Sequence, residues 1–149
     1  MHSNEMAEAR SPVGEKEWEQ YFDLRWRVLR APWNQPRGSE KDDREDSSEH
    51  LMIPGPDSSP IAIGRLHFNS AEEAQVRFMA VDPLFQGCGL GSRILQEFER
   101  RTRAAGATSM VLNARDDAQR FYARHGFAVV GPAPTIFSAV KHVRMRKAL

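Results

Sequence analysis

Cys88 is the only cysteine in a chain of 149 residues. A lone thiol excludes an intrachain disulfide and any multi-cysteine metal site, and it is compatible with a reducing compartment. Long apolar runs are missing as well. No stretch approaches the roughly 20 apolar residues of a membrane span, and Met1 to Glu15 carries no apolar signal core. The expectation is therefore a cytoplasmic protein with no membrane partner. Excess charge of one sign is also lacking, since the formal net charge is +1. Nothing global draws the chain toward nucleic acid, and the scattered basic residues of Lys141 to Lys147 make no such case. No internal repeat is visible. What is present is 40% hydrophobic and 28% charged residues, over a length that suits one domain with a real core.

Residues 1–14 are polar and read as a flexible N-terminal segment, leaving 15–149 as a single domain. From Glu15 to Arg30, Trp18, Tyr21, Phe22, Leu24, Val28 and Leu29 recur at helical spacing and predict a buried-face helix. Pro32 and Pro36 stop it. The stretch from Gln35 to Glu49 has no apolar period and reads as a long mobile loop, its carboxylates solvated. His50–Ile53 and Pro60–Phe68 predict a hairpin around the turn Pro54-Gly55-Pro56-Asp57-Ser58-Ser59, and Val76–Val81 a third strand. A helix follows from Ser92 to about Ala105, then a strand over Ser109–Leu112. A second helix from Asp117 to His125 is closed by Gly126. Phe127–Val130 and Ala139–Met145 predict the last strands. The fold class is α/β (α+β), a mixed central sheet flanked by helices.

The most informative segment is Gln86-Gly87-Cys88-Gly89-Leu90-Gly91, placed between a strand and a helix. Its glycines remove side chains from a turn whose backbone N–H groups lead into a helix N-terminus, a cradle suited to phosphate or pyrophosphate. A P-loop would need Lys and then Ser or Thr after the last glycine, whereas Ser92 and Arg93 follow Gly91. A dinucleotide fingerprint would need glycine at Ser92 and an acidic residue closing the next strand, which ends in Leu112-Asn113. Cys88 has no evident His partner and reads as a small turn residue, not a nucleophile.

Val81-Asp82-Pro83 followed by Gln86-Gly87-Cys88-Gly89-Leu90-Gly91 resembles the first signature of the GNAT superfamily of N-acetyltransferases. Ala118 to Phe127, with Tyr122, Gly126 and Phe127 in place, resembles its later element. The resemblance spans roughly residues 74 to 130 and implies acetyl-coenzyme A as acyl-donor substrate, with no metal. It implies that Gln86, Gly87, Cys88, Gly89, Leu90, Gly91 and Ser92 hold the pyrophosphate. Met79, Ala80 and Val81 would lie along the pantetheine, on a strand split from its neighbour by a bulge, and a backbone N–H there would meet the acetyl carbonyl. Phe121 and Asn113 join the cofactor set, although Arg115 stands where the family commonly has Asn, so either Asn113 or Arg115 makes a different contact or the contact is lost. Tyr122 would protonate the departing thiolate. On the residues alone it reads rather as a core aromatic beside Phe121 and Phe127.

An attacking ammonium must first lose a proton. His50, Glu49 and His67 are the candidate bases, His50 foremost, with a water relay as the alternative. His125 and His142 are poor candidates, the first because a helix C-terminus favours its cationic form. The expected acceptor is an amine of a small molecule or a protein, and nucleic acid is not an expected partner. A non-catalytic acyl-coenzyme A sensor is the alternative reading. The family's opening strand is not evident before the first helix, and the open sheet edge leads to the expectation of a homodimer.

Overall fold

The computed structural model describes residues 7–149. Helix α1 spans Gly14–Leu29 and buries Tyr21, Leu24 and Arg25. It ends where Pro32 enters a short 3-10 turn over Ala31–Trp33 and Asn34 adopts a left-handed φ of 58°, because proline cannot continue the backbone ladder. Strands β1 (Glu49–Pro54), β2 (Pro60–Phe68) and β3 (Glu73–Val81) follow, then helix α2 (Leu90–Ala104), strand β4 (Ser109–Arg115), the short helix α3 (Gln119–Arg124), and strands β5 (Ala128–Ile136) and β6 (Val140–Ala148). The strands pair in the order β1-β2-β3-β4-β6-β5. β3 and β4 are parallel while β1–β2, β4–β6 and β5–β6 are antiparallel, so the sheet is mixed, as expected.

Two compact units make up the chain. The first takes the described residues up to Leu66 and Phe78–Phe98; the second takes His67–Arg77 and Glu99–Leu149. In the first, Tyr21, Leu24, Met52, Ile63 and Ala80 form the core, with Trp18, Phe22, Val28 and Leu29 packed on it. Leu90, Ile94, Leu95 and Phe98 bury one side of α2, the i, i+4, i+5, i+8 stripe of an amphipathic helix. In the second unit Met110, Val111, Leu112, Ala114, Phe127 and Met145 are buried.

Three segments differ from the sequence reading. Residues 1–6 of the expected flexible segment lie outside the described residues, but the part before α1 is tied down. Arg10 exchanges two backbone hydrogen bonds with Met52, at 2.9 and 2.7 Å, and its guanidinium pairs with Glu17 at 2.7 Å. A single bridge thus stands where the family's opening strand was not evident in the sequence. β5 is more than twice as long as the apolar run suggested, because Pro132 and Pro134 sit on the edge strand of the sheet, where a missing N–H costs nothing.

The third difference is the stretch from Gln35 to Glu49, which is anchored rather than mobile. Arg37 stacks over Trp26 at 4.0 Å and Lys41 over Phe22 at 4.4 Å. Asp42 and Glu45 pair with Arg65, and Glu45 also with Arg25. The loop's cations find the aromatic face of α1 and its carboxylates find guanidinium groups inside the core, so its charge serves as attachment.

Candidate active site

The glycine turn lies in the first unit and has the form its residues imply. Gly87 and Gly89 hold φ of 80° and 79°, the left-handed region, and a Cβ built on either meets nothing within 4 Å. These two positions require glycine for conformation. The first hydrogen bond of α2 runs from the Arg93 N–H to the Gly89 carbonyl at 3.1 Å, so the donors ahead of it have no acceptor within the helix. Gln86, Gly87, Cys88 and Gly89 are exposed, Gly91 and Ser92 half-buried, and Leu90 is buried as the anchor of the turn. The turn is held from behind by Asp82, whose side chain accepts from the Leu84 N–H at 3.0 Å and whose backbone N–H reaches the Ile61 carbonyl at 2.8 Å.

Phe78 breaks β3 just before Met79-Ala80-Val81. Its φ is 58°, an outlier for a bulky residue inside a strand. The irregularity expected around Met79–Val81 therefore begins one residue earlier. Met79 and Val81 are half-buried, and Ala80 belongs to the core.

His50, the expected base, sits on β1 in the interior. Its Nε2 is 2.7 Å from the Glu45 carbonyl, which can only accept, so Nε2 carries the proton. With Nε2 protonated and the ring neutral, Nδ1 accepts from the Tyr21 hydroxyl at 2.7 Å, and the Gly64 carbonyl, 3.0 Å from the same hydroxyl, competes for its one proton. Burial, reinforced by Arg25 and Arg65, holds the imidazole pKa below its usual value and keeps it neutral. Both nitrogens are spent within the core, and no lone pair is left for an incoming amine. This arrangement favours a structural role for His50 over the base expected of it. His67 is likewise buried, with Nε2 3.1 Å from the Asn69 side-chain oxygen, and Glu49 is half-buried at the start of β1.

In the second unit, Tyr122 lies on α3 with its ring edge-on to Phe121 at 5.0 Å and Phe127 at 6.0 Å. The side chain is half-buried, its hydroxyl makes no hydrogen bond among the described residues, and burial pushes its pKa up to about 12. It remains a protonated phenol at neutral pH. Asn113 is exposed on β4, its Oδ1 accepting from Arg144 at 3.3 Å, while Arg115 pairs with Asp117 at 3.1 Å. His125 was expected to favour its charged form at the helix end. Instead burial, Lys147 and Arg124 lower its pKa, because a helix of six residues offers little dipole to oppose them.

Sequence reasoning missed Arg25 and Arg65, both fully buried. Arg25 had a signal: it falls at the centre of the apolar stripe Trp18, Tyr21/Phe22, Val28/Leu29, where a charge demands a partner. Arg65 lies within the run Ile61-Ala62-Ile63-Gly64-Arg65-Leu66 and carries the same signal.

A mixed sheet of this order, with a glycine turn between a kinked strand and a helix N-terminus, is the architecture of an acyltransferase. The Acetyltransferase (GNAT) family profile matches residues 18–127, and the chain belongs to that family. The uncharacterised N-acetyltransferase YjcF of Bacillus subtilis strain 168 is 26% identical over 133 residues, 89% of this chain and 94% of its own. A crystal structure from Lactobacillus plantarum has a TM-score of 0.80 at 23% identity, over 95% of this chain and 99% of its own. A GNAT family acetyltransferase from Elizabethkingia anophelis with acetyl-CoA bound has a TM-score of 0.69 at 14% identity, over 86% and 90%. At these identities the structural likeness shows the fold. No described helix is long and apolar enough to cross a membrane.

Proposed function

We propose that the chain moves an acetyl group from acetyl-coenzyme A to an amine of a small molecule or a protein, by direct attack in a ternary complex. The observation that carries this reading is the open turn at Gly87 and Gly89 leading into α2, a set of backbone donors at a helix N-terminus that matches a pyrophosphate. The acetyl-CoA bound to the Elizabethkingia relative supports the choice of donor. As the amine attacks the thioester carbonyl, negative charge develops on oxygen, and a backbone N–H from Met79–Val81 stabilises it. The C–S bond then breaks and Tyr122 protonates the thiolate. With His50 sealed in the core, the ammonium proton leaves through water.

Thermal-shift titration with coenzyme A and acetyl-coenzyme A tests the donor. A rise in Tm that saturates with ligand is expected, and no rise at saturation overturns the reading. A panel of amines followed by coenzyme A release then separates an enzyme from a binder that never turns over.

A further inference from the structure

Phe78 holds a conformation that strands rarely contain. A bulky L-residue at φ 58° is strained relative to an ordinary strand conformation, so some other contact must hold it there. Its ring is buried and lies under three guanidinium groups, with Arg25 Cζ at 4.2 Å, Arg65 Cζ at 4.8 Å and Arg30 Cζ at 5.6 Å from the centroid. The face of a phenyl ring attracts cations, and desolvation strengthens that attraction, so the cage is of the right size to offset the strain.

The arginines are placed in turn by one short segment. Oε2 of Glu45 accepts from Arg25 at 2.9 Å and from Arg65 at 3.0 Å. Asp42 grips Arg65 with both oxygens, at 2.5 and 3.0 Å. Arg25 Nη1 also donates to the Glu40 carbonyl at 3.1 Å, and Arg30 Nε to the Ser39 carbonyl at 3.1 Å. Two carboxylates balance the two fully buried guanidinium groups, so the cluster has no charge to spare for an anionic ligand. Its contacts lead to the ring of Phe78.

We infer that Asp42 and Glu45 are positioning residues: through Arg65 and Arg25 they hold Phe78 in its left-handed conformation and so set the direction of the backbone donors of Met79–Val81. A single left-handed residue breaks the alternation of N–H groups along a strand and re-aims those after it. The inference rests on the acetyl-transfer reading for its purpose, since those donors would face the thioester carbonyl, but the geometric coupling stands without it.

The test is a double-substitution cycle on the full chain, read by amide NMR and by coenzyme A binding. Glu45→Gln removes the shared charge at constant shape, and Phe78→Leu keeps apolar bulk while removing the aromatic face. Each is expected to move the amide signals of Met79, Ala80 and Val81, and the double variant is expected to move them no further than one alone, since both act through one ring. Turnover with any amine the panel identifies is expected to fall by about tenfold or more, and coenzyme A affinity to fall by less, because the pantetheine contacts of Met79–Val81 shift while the glycine turn is untouched. Signal changes confined to residues 39–47, or strictly additive shifts at 79–81, overturn the inference and leave the cluster as a staple for the loop. Failure of the native protein to bind coenzyme A overturns the functional reading instead, and leaves the NMR result to decide the coupling. Should Glu45→Gln not fold, Asp42→Asn serves in the same cycle.

Discussion

The Tyr21 hydroxyl lies 2.7 Å from Nδ1 of His50 and 3.0 Å from the Gly64 carbonyl in the core of the first unit, and Nδ1 accepts the hydroxyl's one proton only while the imidazole is neutral. Burial lowers the His50 pKa, and burial with Lys147 and Arg124 lowers that of His125. In the unfolded chain both titrate near 6.5. As pH falls below that value the unfolded state takes up protons that the folded state resists, so stability is full above about pH 7 and declines on acidification. Urea unfolding at pH 7.5 and 5.5 is expected to show the loss. Replacing His50 by Gln is expected to reduce the pH dependence, and replacing His125 to remove a further part of it. A pH-independent native stability over that range contradicts the assignment.

Gly64 is a close-approach position between β2 and α2. A Cβ there would lie 2.8 Å from Ile94 Cγ2, 2.9 Å from Met79 Sδ and 2.9 Å from Phe98 Cε2. The Met79 thioether can move, but Ile94 and Phe98 sit on the helix that carries the glycine turn. Gly64→Ala is expected to cost about 1–3 kcal/mol of unfolding free energy through overpacking. It is also expected to weaken coenzyme A binding, although it lies on neither the turn nor the kinked strand. Unchanged stability by urea titration would show that α2 is free to slide.

At Gly89 the problem is conformation and access together. Valine at φ 79° is strained because it is β-branched, and its methyl groups would occupy the open space beside the turn. Gly89→Val is expected to lower coenzyme A affinity by about a hundredfold or more, as the loss of several aligned donors at about 1 kcal/mol each would. Calorimetric titration measures it, and native affinity would make the turn merely structural.

The hairpin joining β5 to β6 stores strain that substitution can release. Phe137 and Ser138 have φ of 54° and 57°, and the Ala139 N–H reaches the Ile136 carbonyl at 3.1 Å. This is the geometry of a turn that prefers Asn-Gly. Ser138→Gly is expected to raise stability by about 0.5–1 kcal/mol, seen as a higher midpoint in thermal unfolding. A fall in Tm would mean that the serine has a use beyond closing the turn.

How far these features could be read beforehand depended on whether they were local. The α1 stripe, the glycine turn and the order of strands follow from periodicities and turn residues adjacent in sequence, and they were legible. The anchoring of Asp42 and Glu45 was not, because it depends on Arg65, some twenty residues away, and an acidic loop looks the same whether its partners are water or buried arginines. The surroundings of His50 were hidden for the same reason. Its chemistry suits a base, but Tyr21 and the Glu45 carbonyl had to be placed before its lone pair could be seen to be taken. The length of β5 was hidden by Pro132 and Pro134, which exclude a central strand but not an edge.

Tyr122 offers the sharpest separation between catalysis and packing. Its hydroxyl has no hydrogen-bond partner among the described residues, and its pKa is pushed up to about 12 by burial alone. Removing that oxygen breaks no internal hydrogen bond among the described residues and leaves no partner unpaired. Tyr122→Phe is therefore expected to leave Tm equal to or above that of the native protein, with the ring contacts to Phe121 and Phe127 preserved. If the hydroxyl protonates the departing thiolate, turnover falls by about 10- to 1000-fold while coenzyme A affinity is retained. The loss should also be smaller for an acyl donor whose leaving thiol is more acidic, because a better leaving group needs the proton less. A core tyrosine with no chemical role gives the opposite pattern: full turnover at native or improved stability, with the same rate ratio for both donors.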